Sequence, residues 1–262
     1  MPTPPHILAY REAGSGPSVV LLHGLPASSS YWLRVIPLLE DTYHLVAPDL
    51  LGFGHSPKPK AATYSIDEHV AAVVATLEAI DLPKPWTLVG HSMGSLVALR
   101  LANTHPDWLR KLVLISFPAY DNVQQARRQI IRSGLAPRFM LEGGRARRTT
   151  RSLHHVSEVG RRLSVLFHPL TSLQVPRHGT RHTRRSYRLA LEQIIYHPTD
   201  RSHLEGLKLP VTIINGERDH LLRGVDYTWF ENLAHVQTYW LPKGHQLPLD
   251  DPANVARIIA RD

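Results

Sequence analysis

No cysteine occurs among the 262 residues, which excludes disulfides, a thiolate nucleophile and cysteine-ligated zinc. No uncharged apolar run reaches the roughly 18 residues that a membrane-spanning helix needs. The His-Glu-x-x-His pattern of metalloproteases is missing. His178 and His182 are four apart and have no third ligand beside them in the sequence, so no metal and no cofactor is expected. The glycines of Asp49-Leu50-Leu51-Gly52-Phe53-Gly54 precede no helical pattern, so they do not form a dinucleotide loop. The first sixteen residues carry Arg11 and Glu12 and no apolar stretch behind a basic start, so no secretory leader is expected and the cytoplasm is the default location.

One long stretch without lysine is rich in arginine. Between residues 119 and 205 there are sixteen Arg and six Asp or Glu, a balance of +10, whereas the remaining chain stands at −2. The overall +8 is therefore the property of one segment. Such a segment attracts anionic substrates or surfaces, or it is simply a set of solvated helix faces. Its aromatics follow no single-strand stacking pattern, so no specific nucleic-acid partner is expected.

What is present is sharper. Trp86-Thr87-Leu88-Val89 is a β-type run that meets Gly90-His91-Ser92-Met93-Gly94 and continues into a helical pattern. A strand, a Gly-x-Ser-x-Gly turn and a helix form a nucleophile elbow, which lifts the serine hydroxyl out of the backbone. Glycines on either side let the chain pass without a Cβ clash. The helix start aims its free amides at an oxyanion formed beside Ser92.

Around this elbow, apolar runs alternate with helical patterns. Strands are expected at 18–22, 43–47, 86–89, 111–115, 211–214 and 236–241, and near-continuous apolar strands imply a parallel sheet covered on both faces. Helices are expected at 67–80, 92–103 and from Pro252 onward. The alternation predicts a doubly wound α/β fold with right-handed crossovers. Residues 1–118 and 206–262 form the core of this reading. Residues 119–205 interrupt it as an Arg-rich helical lid, with helices at 122–133 and 186–196 and a polar loop at 142–148.

A serine needs a base, and the base needs a carboxylate to orient it. Asp219 follows the strand at 211–214, and His245 follows the strand at 236–241, so both sit at strand carboxyl ends, where ligand-facing groups gather. Glu217 shares the loop of Asp219 and is an alternative orienting group. Asp49 reads as a turn residue, and His220 as incidental.

The order Ser92, Asp219, His245 resembles the α/β-hydrolase family, specifically its lidded single-domain members. His23-Gly24-Leu25-Pro26, the segment from Asp49 to Ser56, Gly216-x-x-Asp219, and Gly244-His245 followed by Pro252 are similar to family segments. Asp250 stands where Glu is more usual. The resemblance implies a cofactor-free serine esterase with Ser92 as nucleophile, His245 as base and Asp219 as the orienting acid. The backbone N–H groups of Leu25 and Met93 would form the oxyanion hole, since Pro26 has no N–H. Removing one such donor typically costs roughly 3–4 kcal/mol. His23, Gly24 and His91 flank the site, shaping the pocket or holding its loops. Dehalogenases and epoxide hydrolases of this architecture carry an aspartate where this chain has Ser92. Carbon–carbon bond hydrolysis or perhydrolysis on the same triad is the alternative within the family, though the carbon–carbon hydrolases more often have Asn in place of His91. A hydrolase-like receptor for a small ligand is the alternative of another class.

Overall fold

The apolar strand runs are continuous because side chains alternate between two buried faces. The computed structural model describes residues 5–132 and 181–261. Strands β1 (Tyr10–Ala13), β2 (Ser18–Leu22) and β3 (His44–Pro48) come first, then α1 (Ile66–Ala79), β4 (Trp86–His91), α2 (Met93–Thr104), β5 (Leu109–Ile115) and α3 (Val123–Arg132). Beyond residue 180 follow α4 (Arg184–Ala190), α5 (Ser202–Glu205), β6 (Val211–Gly216), α6 (Thr228–Glu231), β7 (Val236–Leu241), α7 (Leu247–Asp250) and α8 (Pro252–Ile259).

The seven strands lie in the order β1-β3-β2-β4-β5-β6-β7. β1 pairs antiparallel with β3, and every other neighbouring pair is parallel. Val20 and Leu22 of β2 join Leu88, Leu112 and Ile213 in a core shared with α1 and α2. Val19 and Leu21 point the other way, into a core with Trp32, Val89, Val113 and the Val255 and Ile258 of α8. Each such side chain, taken fully out of water, contributes about 1.5–3 kcal/mol. The parallel arrangement brings the carboxyl ends of β4, β6 and β7 to one edge, which is where Ser92, Asp219 and His245 follow their strands.

Strand β1 was not expected. Its residues are largely exposed, with Arg11 and Glu12 at its centre, so it carries no apolar period. Backbone pairing to β3 from Tyr10↔Pro48 to Ala13↔Leu45 defines it instead. Helix α1 begins one residue before the expected start, because Ser65 caps Glu68 N at 3.3 Å and the Glu68 carboxylate reaches back to Tyr64 N at 2.7 Å.

Of the 119–205 segment, residues 119–132 and 181–205 are described. The polar loop expected at 142–148 and His178 lie outside the described residues. Helix α4 starts two residues earlier than expected. Thr183 accepts from Ser186 N at 2.9 Å, and Ser186 Oγ in turn accepts from Thr183 N at 3.0 Å. The expected single helix over 186–196 is α4 followed by one π-helical turn, Leu191–Ile195. Its inward residues Tyr187, Leu191, Ile194 and Ile195 are buried. Among the described residues, no helix is long and apolar enough to cross a membrane.

Candidate active site

Ser92 closes β4 and precedes α2 with φ +52° and ψ −117°. A non-glycine residue held there stores about 1–3 kcal/mol of strain. The surrounding contacts impose it. Ser92 N donates to Ile115 O of β5 at 2.9 Å, and Ser92 O accepts from Ser95 N at 2.9 Å. The flanking glycines have no room for a side chain. A Cβ at Gly90 would fall 2.6 Å from Ser95 Cα, and one at Gly94 would fall 2.6 Å from His23 O. Backbone meets backbone on both sides, so the turn has one course.

The structure brings the three distant residues together. His245 Nε2 lies 3.1 Å from Ser92 Oγ. His245 Nδ1 lies 2.7 Å from Asp219 Oδ2. The Asp219 carboxylate is fully buried, and the His245 side chain is 10 % exposed. The other carboxylate oxygen of Asp219 accepts from Leu221 N at 2.9 Å. A carboxylate can only accept, so the His245 proton sits on Nδ1 and the Nε2 lone pair faces the serine hydroxyl. In that arrangement the hydroxyl proton has an acceptor as the oxygen attacks. Glu217 and His220 are exposed; the carboxylate that reaches His245 is Asp219.

Gly24 packs directly on the elbow. A Cβ there would fall 3.0 Å from Ser92 Cβ and 2.9 Å from His91 Nδ1. Leu25 is the next residue along this loop. Met93 N–H opens α2, where the first amides of a helix have no carbonyl to bond within it. These are the two donors expected to face an oxyanion.

His23 and His91 were expected to shape the pocket or hold its loops; both are buried, at 0 % and 3 % exposure, and both bond backbone. His23 Nε2 accepts from Leu50 N at 2.9 Å while Nδ1–H donates to Gly24 O at 2.8 Å. That joins the loop after β2 to the loop after β3. His91 Nε2 lies 2.9 Å from His245 O. Burial pushes His91 well below the ordinary histidine range, with His245 adding to the shift and the bond to the His245 carbonyl opposing it. His23 is lowered by burial as well, against the Gly24 bond and the Asp49 charge. Asp49 is the turn residue its position suggests: Oδ1 accepts from Ser29 N at 2.6 Å and Oδ2 from His55 N at 2.7 Å.

Tyr31, Ser116 and Gln246 also belong to this site, and little in the sequence points to them. Tyr31 OH donates to Gln246 Oε1 at 2.8 Å, and Ser116 Oγ donates to His245 O at 3.0 Å. Ser116 follows the carboxyl end of β5, a position where functional groups collect; Tyr31 carries no such signal. Among the described residues, no three His, Asp or Glu side chains are arranged to hold a metal ion.

The sequence profile of the alpha/beta hydrolase fold matches residues 17–239. A haloalkane dehalogenase of Bradyrhizobium diazoefficiens is 39 % identical over 112 residues, which is 42 % of this chain and 36 % of that protein. A 2-hydroxymuconate semialdehyde hydrolase of Pseudomonas sp. strain CF600 is 37 % identical over 120 residues, 43 % of this chain and 42 % of that one. The match thus spans less than half the length of these curated relatives. A thermophilic esterase of Thermogutta terrifontis superposes with a TM-score of 0.72 at 23 % identity, covering 96 % of this chain and 91 % of that structure. With the profile running from the start of β2 into β7, and the strand order and elbow described above, the chain belongs to the alpha/beta hydrolase fold family.

Proposed function

We propose that this protein is a cofactor-free serine hydrolase that cleaves a carboxylic ester or related acyl compound through an acyl-enzyme. The observation that carries this reading is the continuous chain Ser92 Oγ, His245 Nε2, His245 Nδ1, Asp219 Oδ2, with links of 3.1 and 2.7 Å. Ser92 attacks the acyl carbon while His245 takes its proton. Asp219 holds the imidazole in the required tautomer and balances its charge. Leu25 and Met93 N–H groups receive the oxyanion. His245 then gives the proton to the leaving alcohol, and water repeats the sequence to free the acid.

The likeness to a haloalkane dehalogenase does not transfer as chemistry. Displacing a halide with Ser92 would leave an ether, which a second water attack cannot hydrolyse as it would an ester. An acyl carbon is the electrophile that suits a hydroxyl nucleophile here. Carbon–carbon bond hydrolysis on the same triad is the second reading, favoured by the likeness to the semialdehyde hydrolase. The 119–205 segment is proposed as the lid that shapes the acyl and alcohol sites. Its arginines favour anionic esters, although Arg188 and Arg201 are already paired with Glu192 and Asp121.

Turnover of p-nitrophenyl esters of increasing chain length, together with fluorophosphonate labelling, tests the assignment. The label is expected on Ser92, and Ser92→Ala is expected to lose both labelling and turnover, by about 10⁶-fold in kcat. Ester turnover retained in Ser92→Ala would sink the mechanism. A single burst with no further cycles would favour the receptor reading.

A further inference from the structure

The loop that carries His245 meets the end of β6, where Lys243 O and Gly244 O crowd Gly216 and Lys243 O accepts from Arg218 N at 2.9 Å. Lys243, Gly244, His245 and Gln246 are all only half-buried, and the space beside Gly244 is open. Its backbone is nonetheless tied at one atom from two strands. The His245 carbonyl accepts from His91 Nε2 at 2.9 Å and from Ser116 Oγ at 3.0 Å. His91 is the last residue of β4 and Ser116 follows β5, so both donors stand on the centre of the sheet. Tyr31 adds a further attachment. Its hydroxyl reaches Gln246 Oε1 at 2.8 Å and lies 3.2 Å from His91 Nε2, and its ring stacks on the His91 imidazole with centroids 4.6 Å apart.

We infer that His91 is a positioning residue. By donating to the His245 carbonyl, with Tyr31 and Ser116 beside it, His91 sets where the imidazole of residue 245 stands over Ser92. This rests on His245 acting as the base.

The protonation pattern fits that role. A carbonyl oxygen only accepts, so the His91 proton is on Nε2, shared between the His245 carbonyl and the Tyr31 oxygen. Nδ1 then faces Gly24 and has no hydrogen-bond partner among the described residues. A second proton there would meet backbone carbon, not an acceptor. His91 is thus a neutral donor, 5.0 Å centroid to centroid from the His245 ring. A permanent cation in that place would oppose the positive charge His245 acquires when it takes the serine proton. Asp219 fixes the His245 ring from one side, and His91 fixes its backbone from the other.

Kinetics on p-nitrophenyl butyrate, with the full chain, compare three variants at matched thermal midpoints. His91→Leu removes the donor and is expected to lower kcat by about 10²-fold, with little change in KM, since misplacing a reacting group costs that order. His91→Gln carries Nε2 the same number of bonds from Cβ and is expected to recover roughly tenfold of the loss. Tyr31→Phe keeps the stacked ring, loses the hydroxyl and is expected to lower kcat about fivefold. His91→Leu at the wild-type kcat overturns the inference, as does His91→Gln performing no better than His91→Leu. If His91→Leu does not fold, Tyr31→Phe at the wild-type kcat overturns it instead. Ester turnover surviving in Ser92→Ala, by contrast, removes the serine-hydrolase reading on which this one rests.

Discussion

Ser92 and His245 lie 3.1 Å apart, yet they are held by opposite means. The serine is fixed by backbone: the five-residue elbow 90–94, two of its residues glycines with no room for a Cβ, is pressed against the end of β2 and bonded to β5. The histidine is fixed from a distance, by an acid 26 residues earlier and by donors from β4 and β5 more than a hundred residues away. One end of the site is built by backbone sterics. The other is built by side-chain hydrogen bonds onto a half-exposed loop.

The sharpest way to break this contrast is at the acid. Asp219→Asn leaves the elbow untouched but offers His245 an amide in place of a carboxylate. We expect kcat to fall by about 10⁴-fold, with thermal stability close to wild type. A fall of only a few-fold would mean that another group orients the base. On the elbow side, Gly94→Ala forces a methyl against the backbone carbonyls of Leu22 and His23. The expected result is a loss of about 3 kcal/mol in urea unfolding, so activity disappears there through the fold. An unchanged urea midpoint would show that the turn can relax.

A smaller effect separates burial from chemistry. His69 of α1 is fully buried and both its ring nitrogens lack hydrogen-bond partners among the described residues. Burial, with His23 adding, lowers it to about 3 from the ordinary 6.5. Above pH 6.5 the histidine is neutral folded or unfolded; as the pH falls toward 3 the unfolded chain takes the proton first. Stability is therefore complete above that window and lost on descending through it. Urea midpoints at pH 7 and pH 5 should fall less in His69→Leu than in wild type. An equal fall in both would place the acid sensitivity elsewhere.

The same contrast explains what the sequence revealed. The elbow was legible because its signal is contiguous: an apolar strand, two glycines around a serine, and a helical run. The parallel sheet was legible because strands covered on both faces read as unbroken apolar runs, Ser18–Leu22 being all buried. Asp219 and His245 could be placed at strand carboxyl ends, with the family resemblance choosing them and Glu217 left as an alternative to Asp219. Tyr31 and Gln246 could not, since 215 residues separate them and neither sits in a distinctive pattern. Strand β1 was hidden for a related reason. Its identity lies in backbone pairing with β3 at the sheet edge, and Arg11 and Glu12 carry no trace of that. His23 and His91 were located beside the site as pocket or loop-holding residues, and the geometry shows which backbone atoms they bond.

The strand order sets when the site can come into being. β5 and β6 are neighbours in the sheet, yet the whole arginine-rich segment is threaded between them. Ser92 belongs to the chain before that segment, Asp219 and His245 to the chain after it. The elbow needs β2 and β5 beside it, both earlier in the chain than that segment, but Asp219 and His245 can join it only once β6 has paired with β5 across the insertion. Turnover in a refolding chain therefore cannot precede the pairing of β5 with β6, whereas the helical signal of α1 and α2 can.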